Sequence, residues 1–426
     1  MSATTVPAPT SIAPSPQVPP GRFPPAIWAL LFTTLIARAF GFAYPFLSYH
    51  LKDLGYSTQS VGQALSVFGI GWLIGQLITG WAADRIGRRR TLVIAMLASA
   101  VCLPLMAQAQ AFWAVCAGAM VAGIVYDAPR PVVSAGIADL ITDDGQRAAV
   151  NGWRHGAVNI GAAVTGAAGG LLAGLLGFTS LFYFNAAACA ACALIAHRYL
   201  DRDAPRTART KGPVTRTPLG SALRDGRLWL LWAASVAGLT CAAGMFSALP
   251  MLMENDGLSA DAYGWSQVAN AGAVVALTPL LNPWLRRRCH GPEPTVGLLA
   301  FGALLLGAGM GGAGLADTTL GYSIAVAAAV PGEIVFFIAA NDIVTKISPL
   351  DARGLYAGIW GTSLALGVII APVLAAACLT SGGDGLAALS TLAVGALGAA
   401  LCLPLLGLTH RRTATAARPL PAPAAS

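Results

Sequence analysis

Four ionisable side chains lie inside long apolar stretches of the sequence: Arg38, Asp127, Arg130 and Glu333. In hydrocarbon a charged group costs about 3 kcal/mol, so such groups usually face a polar cavity or a partner of opposite charge. In that setting they can bind a polar substrate, carry a proton or form a structural ion pair. These four residues are therefore the first candidates for substrate binding or proton coupling.

The spacing of these groups leaves more than one pairing open. Asp127 and Arg130 are three residues apart, which places them on one face of a helix. They form either a local ion pair that neutralises itself or a working pair at a site. Arg38 can pair with either acid. Glu333 has no cation close to it in the sequence, so a functional role is favoured for this residue.

Aromatic and sulfur-containing side chains near these groups form a second set of candidates. Together they could accept an apolar or amphipathic ligand, whereas taken singly each could equally pack in a core or face lipid. The set consists of Tyr44, Phe46, Met245, Phe246, Phe336 and Phe337.

The elements that must position these side chains are membrane-spanning helices. The chain is 56% hydrophobic and 10% charged, with a mean hydropathy of +0.67, whereas soluble domains carry about 25% charged residues. About twelve apolar runs have the ~20 residues that cross a bilayer as a helix, which satisfies its own backbone hydrogen bonds. The sequence therefore predicts an all-α membrane protein with twelve transmembrane helices.

A basic segment divides these runs into two sets of six. We predict a disordered N-terminal tail over 1–25, since this segment is rich in Pro, Ala, Ser and Thr and lacks the pattern of a cleaved signal. A six-helix half over 26–196 follows, then a central loop over 197–227. A second six-helix half covers 228–408, and a tail covers 409–426. Below, "N half" and "C half" denote the two six-helix halves.

The net charge of +8 is carried by arginines in alternate loops. That distribution follows the positive-inside rule and does not indicate a nucleic-acid partner. It places both termini in the cytoplasm of a protein that crosses the cytoplasmic membrane many times.

The two halves resemble each other at matched offsets. Arg147-Ala-Ala-Val-Asn-Gly152 and Arg353-Gly-Leu-Tyr-Ala-Gly358 are 206 residues apart (353 − 147), and Glu333 follows Asp127 by the same interval (333 − 127). Duplicated halves that rock about a central site are a common design of secondary transporters. The sequence thus favours two pseudo-symmetric halves.

The loop between the second and third runs carries a motif. Its residues follow the pattern Gly-x-x-x-Asp-Arg-x-Gly-Arg-Arg, and this string at this place resembles the signature of the major facilitator superfamily. The resemblance implies a latch between the two halves, in which the acid engages the start of the eleventh span. The latch residues it implies are Gly80, Asp84, Arg85, Gly87, Arg88 and Arg89.

Within that family the chain is similar to the drug–proton antiporter branch. The likeness lies in the outer part of the first span and in the fourth and fifth spans. The chain departs from the branch at two places: Ala119–Gly123 contains no Arg, and Gly166-Ala-Ala-Gly169-Gly170 lacks the branch's Pro.

This resemblance implies a secondary active transporter that exports a small drug-like or metabolite molecule by alternating access, in exchange for protons. It also connects the chain with multidrug resistance. The alternatives are nutrient uptake or facilitated diffusion on the same fold and, more remotely, a membrane enzyme. We expect a monomer with a small-molecule substrate and the lipid bilayer as partners. We expect no catalytic residues, no cofactor, no metal and no nucleic acid.

Overall fold

The computed structural model describes residues 23–141, 143–200, 219–291, 293–349 and 352–416. Within these ranges the regular secondary structure is entirely helical. Nearly all of the predicted tail over 1–25, most of the central loop over 197–227 and the end of the tail over 409–426 lie outside the described residues.

The N half contains six membrane spans, numbered here in chain order. Span 1 comprises two helices, and so does span 4; the other four spans are single helices. Span 1 consists of Pro25–Ala39 and Leu47–Asp53, span 2 is Thr58–Arg85, and span 3 is Arg88–Ala107. Span 4 consists of Phe112–Tyr126 and Pro129–Leu140, span 5 is Asp144–Leu176, and span 6 is Phe178–Tyr199.

The C half repeats this arrangement after a short helix, Leu219–Leu223. Span 7 comprises two helices. The last helical segment contains Gly383 at φ 68° and ψ −160°, a non-helical conformation that divides it into spans 11 and 12. Span 7 consists of Gly226–Gly244 and Ala248–Asn255, span 8 is Ala260–Cys289, span 9 is Val296–Ala313, and span 10 is Thr319–Ile347. Spans 11 and 12 together form Arg353–Ala416.

Ten described helical segments are long and apolar enough to cross a membrane. Splitting the last at Gly383 adds one span, and the 15-residue apolar helix Pro25–Ala39 begins the remaining one. The predicted all-α membrane fold is confirmed.

Spans 1, 4 and 7 are interrupted, whereas the sequence patterns predict continuous apolar runs there. Each interruption has a proline in it or directly after it: Pro45 lies within the first, and Pro129 and Pro250 lie in the first turn of the helix that follows the other two. Proline has no amide hydrogen to donate to the carbonyl four residues earlier, and its ring crowds the preceding turn. Hydropathy does not detect these breaks because it is averaged over a whole span, which stays apolar across a break of a few residues.

The two ends of the bundle differ in charge. The basic end carries Arg88–Arg90 in the first turn of span 3 and Arg286–Arg288 in the last turn of span 8, whereas the opposite, acidic end carries Asp53, Glu254 and Asp261. By the positive-inside rule, the basic end is predicted to be cytoplasmic.

Glycines allow the helix backbones to touch, as expected where lipid provides no hydrophobic drive for association. A side chain on Gly71 or Gly75 of span 2 would collide with the backbone of span 4 at Met120 or Ile124. The repeat appears in the packing too: Gly161 packs on span 1, and Gly367, 206 residues later (367 − 161), packs on the equivalent span 7.

Candidate functional site

Asp127 is the centre of a charged cluster in the N half. Its side chain is 6% exposed and makes ion pairs with Arg38 at 2.8 Å (Nη2 to Oδ1) and with Arg130 at 2.7 Å (Nε to Oδ2). Span 2 adds two neutral donors to Oδ2, Trp72 Nε1 at 2.9 Å and Gln76 Nε2 at 3.1 Å. Both carboxylate oxygens therefore have partners, drawn from spans 1, 2 and 4.

The breaks in spans 1 and 4 place these groups. Asp127 lies between two helices, just before the N-terminus of Pro129–Leu140, where the helix dipole favours an anion. Arg38 lies in the last turn of Pro25–Ala39, where the dipole favours a cation. Carbonyl oxygens at the break in span 1 accept hydrogen bonds from other spans. Arg38 O accepts from the Thr165 hydroxyl, and Gly41 O accepts from the Tyr126 hydroxyl.

Close packing of spans 2 and 4 brings Trp72 and Gln76 to the carboxylate. Gly71, Gly75 and Gly123 lie at this contact, where each would collide with the facing backbone if it carried a side chain. Trp72 and Gln76 are four residues apart and therefore share a face of span 2. The local spacing of Gly71 and Gly75 thus serves the charged cluster as well as the helix packing.

A cavity of about 390 Å³ lies between the two halves. Its N-half wall includes Trp72, Gln76 and Arg130, and its C-half wall includes Leu239, Phe337, Trp360 and Thr362. This volume lies within the range of about 300–1,000 Å³ found for small-molecule sites. The cavity therefore has the size and the position of a central transport site.

The halves are in contact at the acidic end of this cavity. The Ser66 hydroxyl of span 2 donates to Ile369 O of span 11. Gly170 of span 5 lies against the backbone of Asp261 in span 8, and a Cβ there would come within 2.5 Å of Asp261 Cα. Phe46 of span 1 packs edge-to-face on Tyr263 of span 8, with 5.5 Å between ring centroids.

At the basic end the halves are apart. Among the described residues, a Cβ added to Gly80 of span 2, Gly152 of span 5 or Gly358 of span 11 would meet no atom within 4 Å. The structure is therefore closed at the acidic end and open towards the basic end.

Glu333 of span 10 is a partly buried acid of the C half. Its Oε2 is buried and has no hydrogen-bond partner among the described residues. Phe337 lies four residues later, on the same helical face, and lines the cavity. Glu333 therefore lies one turn further towards the acidic end, on the face that borders the site.

The aromatic candidates divide into core and cavity residues. Phe337 lines the cavity, and Phe246 is half-buried between the cores of the two halves. The other four are buried in those cores: Tyr44, Phe46, Met245 and Phe336.

The latch residues lie at the turn between spans 2 and 3. Gly87 has a φ of 96°, a conformation that only glycine adopts without strain. Arg88 forms an ion pair with Asp139 of span 4 and also donates to Ala135 O.

The remaining latch residues lie in or beside this turn. The Arg85 guanidinium is 5.2 Å from the centre of the Trp81 ring, and Arg89 Nη2 lies 3.3 Å from His197 Nδ1 of span 6. Asp84 is exposed, and Gly80 faces open space. The turn thus contacts spans 4 and 6 of its own half.

Sequence reasoning missed Trp72 and Gln76, although two polar side chains four residues apart in an apolar span are a usable signal. It also missed a cluster at the basic end of the C half, where Asp225 pairs with Arg227 at 2.7 Å and accepts from the Tyr356 hydroxyl at 2.9 Å. Burial raises the pKa of Asp225, but the bonds from Arg227 and Tyr356 outweigh it and hold the pKa below its ordinary value.

Two curated proteins resemble part of this chain. It is 31% identical over 153 residues to the class G tetracycline resistance protein of Vibrio anguillarum, which covers 35% of this chain and 38% of that protein. It is 32% identical over 142 residues to the class C tetracycline resistance protein of Escherichia coli, which covers 33% and 35%. The matched region spans little more than a third of these relatives.

Solved structures match nearly the whole chain. A crystal structure of an auto-inhibited POT family peptide transporter has a TM-score of 0.69 at 14% identity, covering 95% of this chain and 99% of that one. A POT family transporter in complex with a thioalcohol-conjugated peptide has a TM-score of 0.73 at 14% identity, covering 91% and 96%. A variant of the nucleoside transporter NupG has a TM-score of 0.67 at 14% identity, covering 90% and 99%. At these identities the likeness concerns the fold.

The family model of the Major Facilitator Superfamily matches residues 27–372. This range includes the charged cluster, the cavity and the signature loop, and it covers most of the chain. The chain therefore belongs to the major facilitator superfamily, a family of membrane transporters and not of enzymes.

Proposed function

We propose that this transporter exports a small organic molecule in exchange for protons, and that Glu333 is the group that takes up and releases the proton. The observation that carries the proposal is the contrast between the two buried acids. Asp127 has four donors around it, two of which are arginines, whereas Glu333 Oε2 has no partner among the described residues.

A buried carboxylate without a cation is stabilised by binding a proton, because protonation removes its charge from a low-dielectric environment. When the cavity opens to water, the same group can ionise. A change in access can therefore be coupled to proton binding at Glu333. Asp127 is poorly suited to this role, because a proton on it would weaken two ion pairs at once.

The similarity to tetracycline resistance proteins supports export as the direction, with tetracycline as the first compound to test. The distribution of the arginines supports a cytoplasmic basic end, so the open cavity would accept substrate from the cytoplasm.

A Cys introduced at Ser259 should then react with an impermeant thiol reagent from outside intact cells, in a background without native cysteines. A Cys at Ser221 should be shielded.

The test uses everted membrane vesicles with an acidic interior and labelled tetracycline within a panel of drug-like compounds. The native protein should accumulate at least one compound, and nigericin should abolish the accumulation. Glu333→Gln should lose this accumulation but retain counterflow in proteoliposomes, which requires no net proton movement.

If Glu333→Gln still concentrates the compound using a proton gradient alone, Glu333 is structural and the coupling assignment is wrong. Accumulation that is confined to right-side-out vesicles with an acidic exterior would indicate uptake instead.

A further inference from the structure

The charged cluster of the N half carries an excess of positive charge. Arg38 and Arg130 share one carboxylate, Asp127. Arg154 of span 5 adds a third cation, which donates to the Ser134 hydroxyl one turn along span 4 from Arg130. Three guanidinium groups therefore face one carboxylate, and positive charge that is not balanced in a poorly solvated site is costly.

Asp127 cannot correct this imbalance. Its Oδ1 accepts from Arg38, and its Oδ2 accepts from Trp72 and Gln76 beside the Arg130 contact. A carboxylate with both oxygens engaged in this way has little capacity for another donor. A cationic ligand would therefore find no available acid in this cluster.

Arg130 is the member of the cluster that faces the cavity. Its side chain is 41% exposed and is closest to Asp127 through Nε, while its Nη nitrogens donate no hydrogen bond to any residue in the described part of the chain. Among the described residues that line the cavity, Arg130 is the single charged one. A planar guanidinium with available Nη donors suits a bidentate oxyanion such as a carboxylate.

The surfaces beside Arg130 are apolar and aromatic. Its guanidinium lies 5.4 Å from the centre of the Trp72 ring, and Phe337, Trp360 and Leu239 line the opposite wall. The Trp360 indole nitrogen already donates to Ser235, so its ring contributes surface and not a further donor. The charge available to a ligand is thus concentrated at one point of the cavity.

We propose that the transported compound is an amphipathic organic anion. Its carboxylate, or a similar oxyanion, would bind the Nη groups of Arg130, and its aromatic or apolar body would lie against Trp72, Phe337 and Trp360. The inference rests on the proposed transport function of this cavity. It adds the charge and the shape of the substrate, which proton coupling at Glu333 does not determine.

The test measures binding to the purified full-length protein in detergent at pH 7, with no membrane gradient. The probes are triads that share one ring system and differ only in charge: indole-3-acetate, indole-3-acetamide and tryptamine, with equivalent naphthalene and biphenyl triads. Thermal stabilisation and equilibrium dialysis report affinity. In each triad that binds, the carboxylate should bind at least about ten-fold tighter than the amide, and the amine should bind most weakly.

Arg130→Gln should bring the carboxylate-to-amide ratio close to one, and Arg130→Lys should keep part of the preference. Arg224→Gln, a change at an exposed arginine outside the cavity, is the matched control and should leave the ratio unchanged. If Arg130→Gln does not fold, the triads on the native protein still decide the question.

Amides or amines that bind the native protein as tightly as the carboxylates would overturn the proposal, as would a panel in which no carboxylate binds. Since no gradient is present, failure of proton coupling would not affect this result. Conversely, proton-driven export of neutral compounds alone would preserve the proposed function and refute the anion preference.

Discussion

Asp127 in the N half and Glu333 in the C half occupy equivalent positions of the sequence repeat, 206 residues apart (333 − 127), but their surroundings differ. Asp127 lies in a helix break and is held by two arginines and two neutral donors. Glu333 lies within the continuous helix Thr319–Ile347, and its Oε2 has no described partner.

The difference shows how a duplicated fold can separate two tasks. A carboxylate with all its donors in place is fixed and organises its neighbours, which suits substrate positioning. A carboxylate without a cation can change its protonation state without breaking an ion pair, which suits coupling. Under the proposed function, one acid position in the repeat supports structure in one half and proton exchange in the other.

The largest expected effect concerns stability. Asp127→Asn removes the charge that balances Arg38 and Arg130, and removing one partner from a buried ion pair typically costs about 3–5 kcal/mol. Both arginines are partly exposed, at 28% and 41%, so we expect the lower end, about 3 kcal/mol. The measurement is the thermal melting temperature of the purified protein in detergent.

Glu333→Gln is the matched control in the C half. It removes a buried charge that has no cation, so the melting temperature should stay the same or rise. Equal destabilisation by both variants would show that the two acids do not differ in the way described here.

A smaller effect is expected in transport. Asp84→Asn should slow transport about ten-fold, equivalent to about 1.4 kcal/mol, because the latch that we predict at the basic end would lose its acid. Binding of the transported compound in detergent should change by no more than a few-fold. Loss of binding with normal conformational exchange would identify Asp84 as a ligand and not a latch.

The corresponding segment of the C half supplies the control. Asn282–Arg288, at the basic end of span 8, keeps the arginines but has no acid. Asn282→Ala should therefore leave the transport rate close to that of the native protein.

The smallest effect is a difference of about 1 kcal/mol between the same type of substitution made in the two halves. Trp72→Phe removes a hydrogen bond to the Asp127 carboxylate, which should cost about 1.5–3 kcal/mol of stability, whereas Trp360→Phe removes one to the Ser235 hydroxyl, which should cost about 0.5–1.5 kcal/mol. Melting temperatures of the two variants give the comparison. A larger loss for Trp360→Phe would argue against a dominant role for the Asp127 cluster.

The fold was predictable because each transmembrane helix must make its own backbone hydrogen bonds in lipid. A hydropathy profile therefore identifies the helices one segment at a time. The signature loop from Gly80 to Arg89 was equally accessible, since all its residues are adjacent. The breaks in spans 1, 4 and 7 were not predicted, although Pro45, Pro129 and Pro250 mark them, because proline in a membrane helix is often tolerated.

The site was predictable in its composition but not in its connections. The sequence selected Arg38, Asp127, Arg130 and Glu333 by the cost of burying charge. It left open which acid pairs with Arg38. In the structure Arg38 forms its ion pair with Asp127, 89 residues away in the chain. Trp72 and Gln76, 55 and 51 residues from Asp127, became visible as partners only through the packing of spans 2 and 4.

Two adjacent aromatic residues also show the difference between what the sequence predicts and what the structure decides. Phe336 and Phe337 are equivalent by composition, but the first is buried against Gly238 and Gly302 and the second lines the cavity. Successive residues of a helix point about 100° apart, so only the rotation of span 10 within the bundle decides which of them meets a ligand. Sequence alone determined the membrane residence, the helices and the buried charges, because these depend on local residue chemistry. Their pairing and exposure were decided by tertiary structure, because they depend on how helices distant in the chain pack.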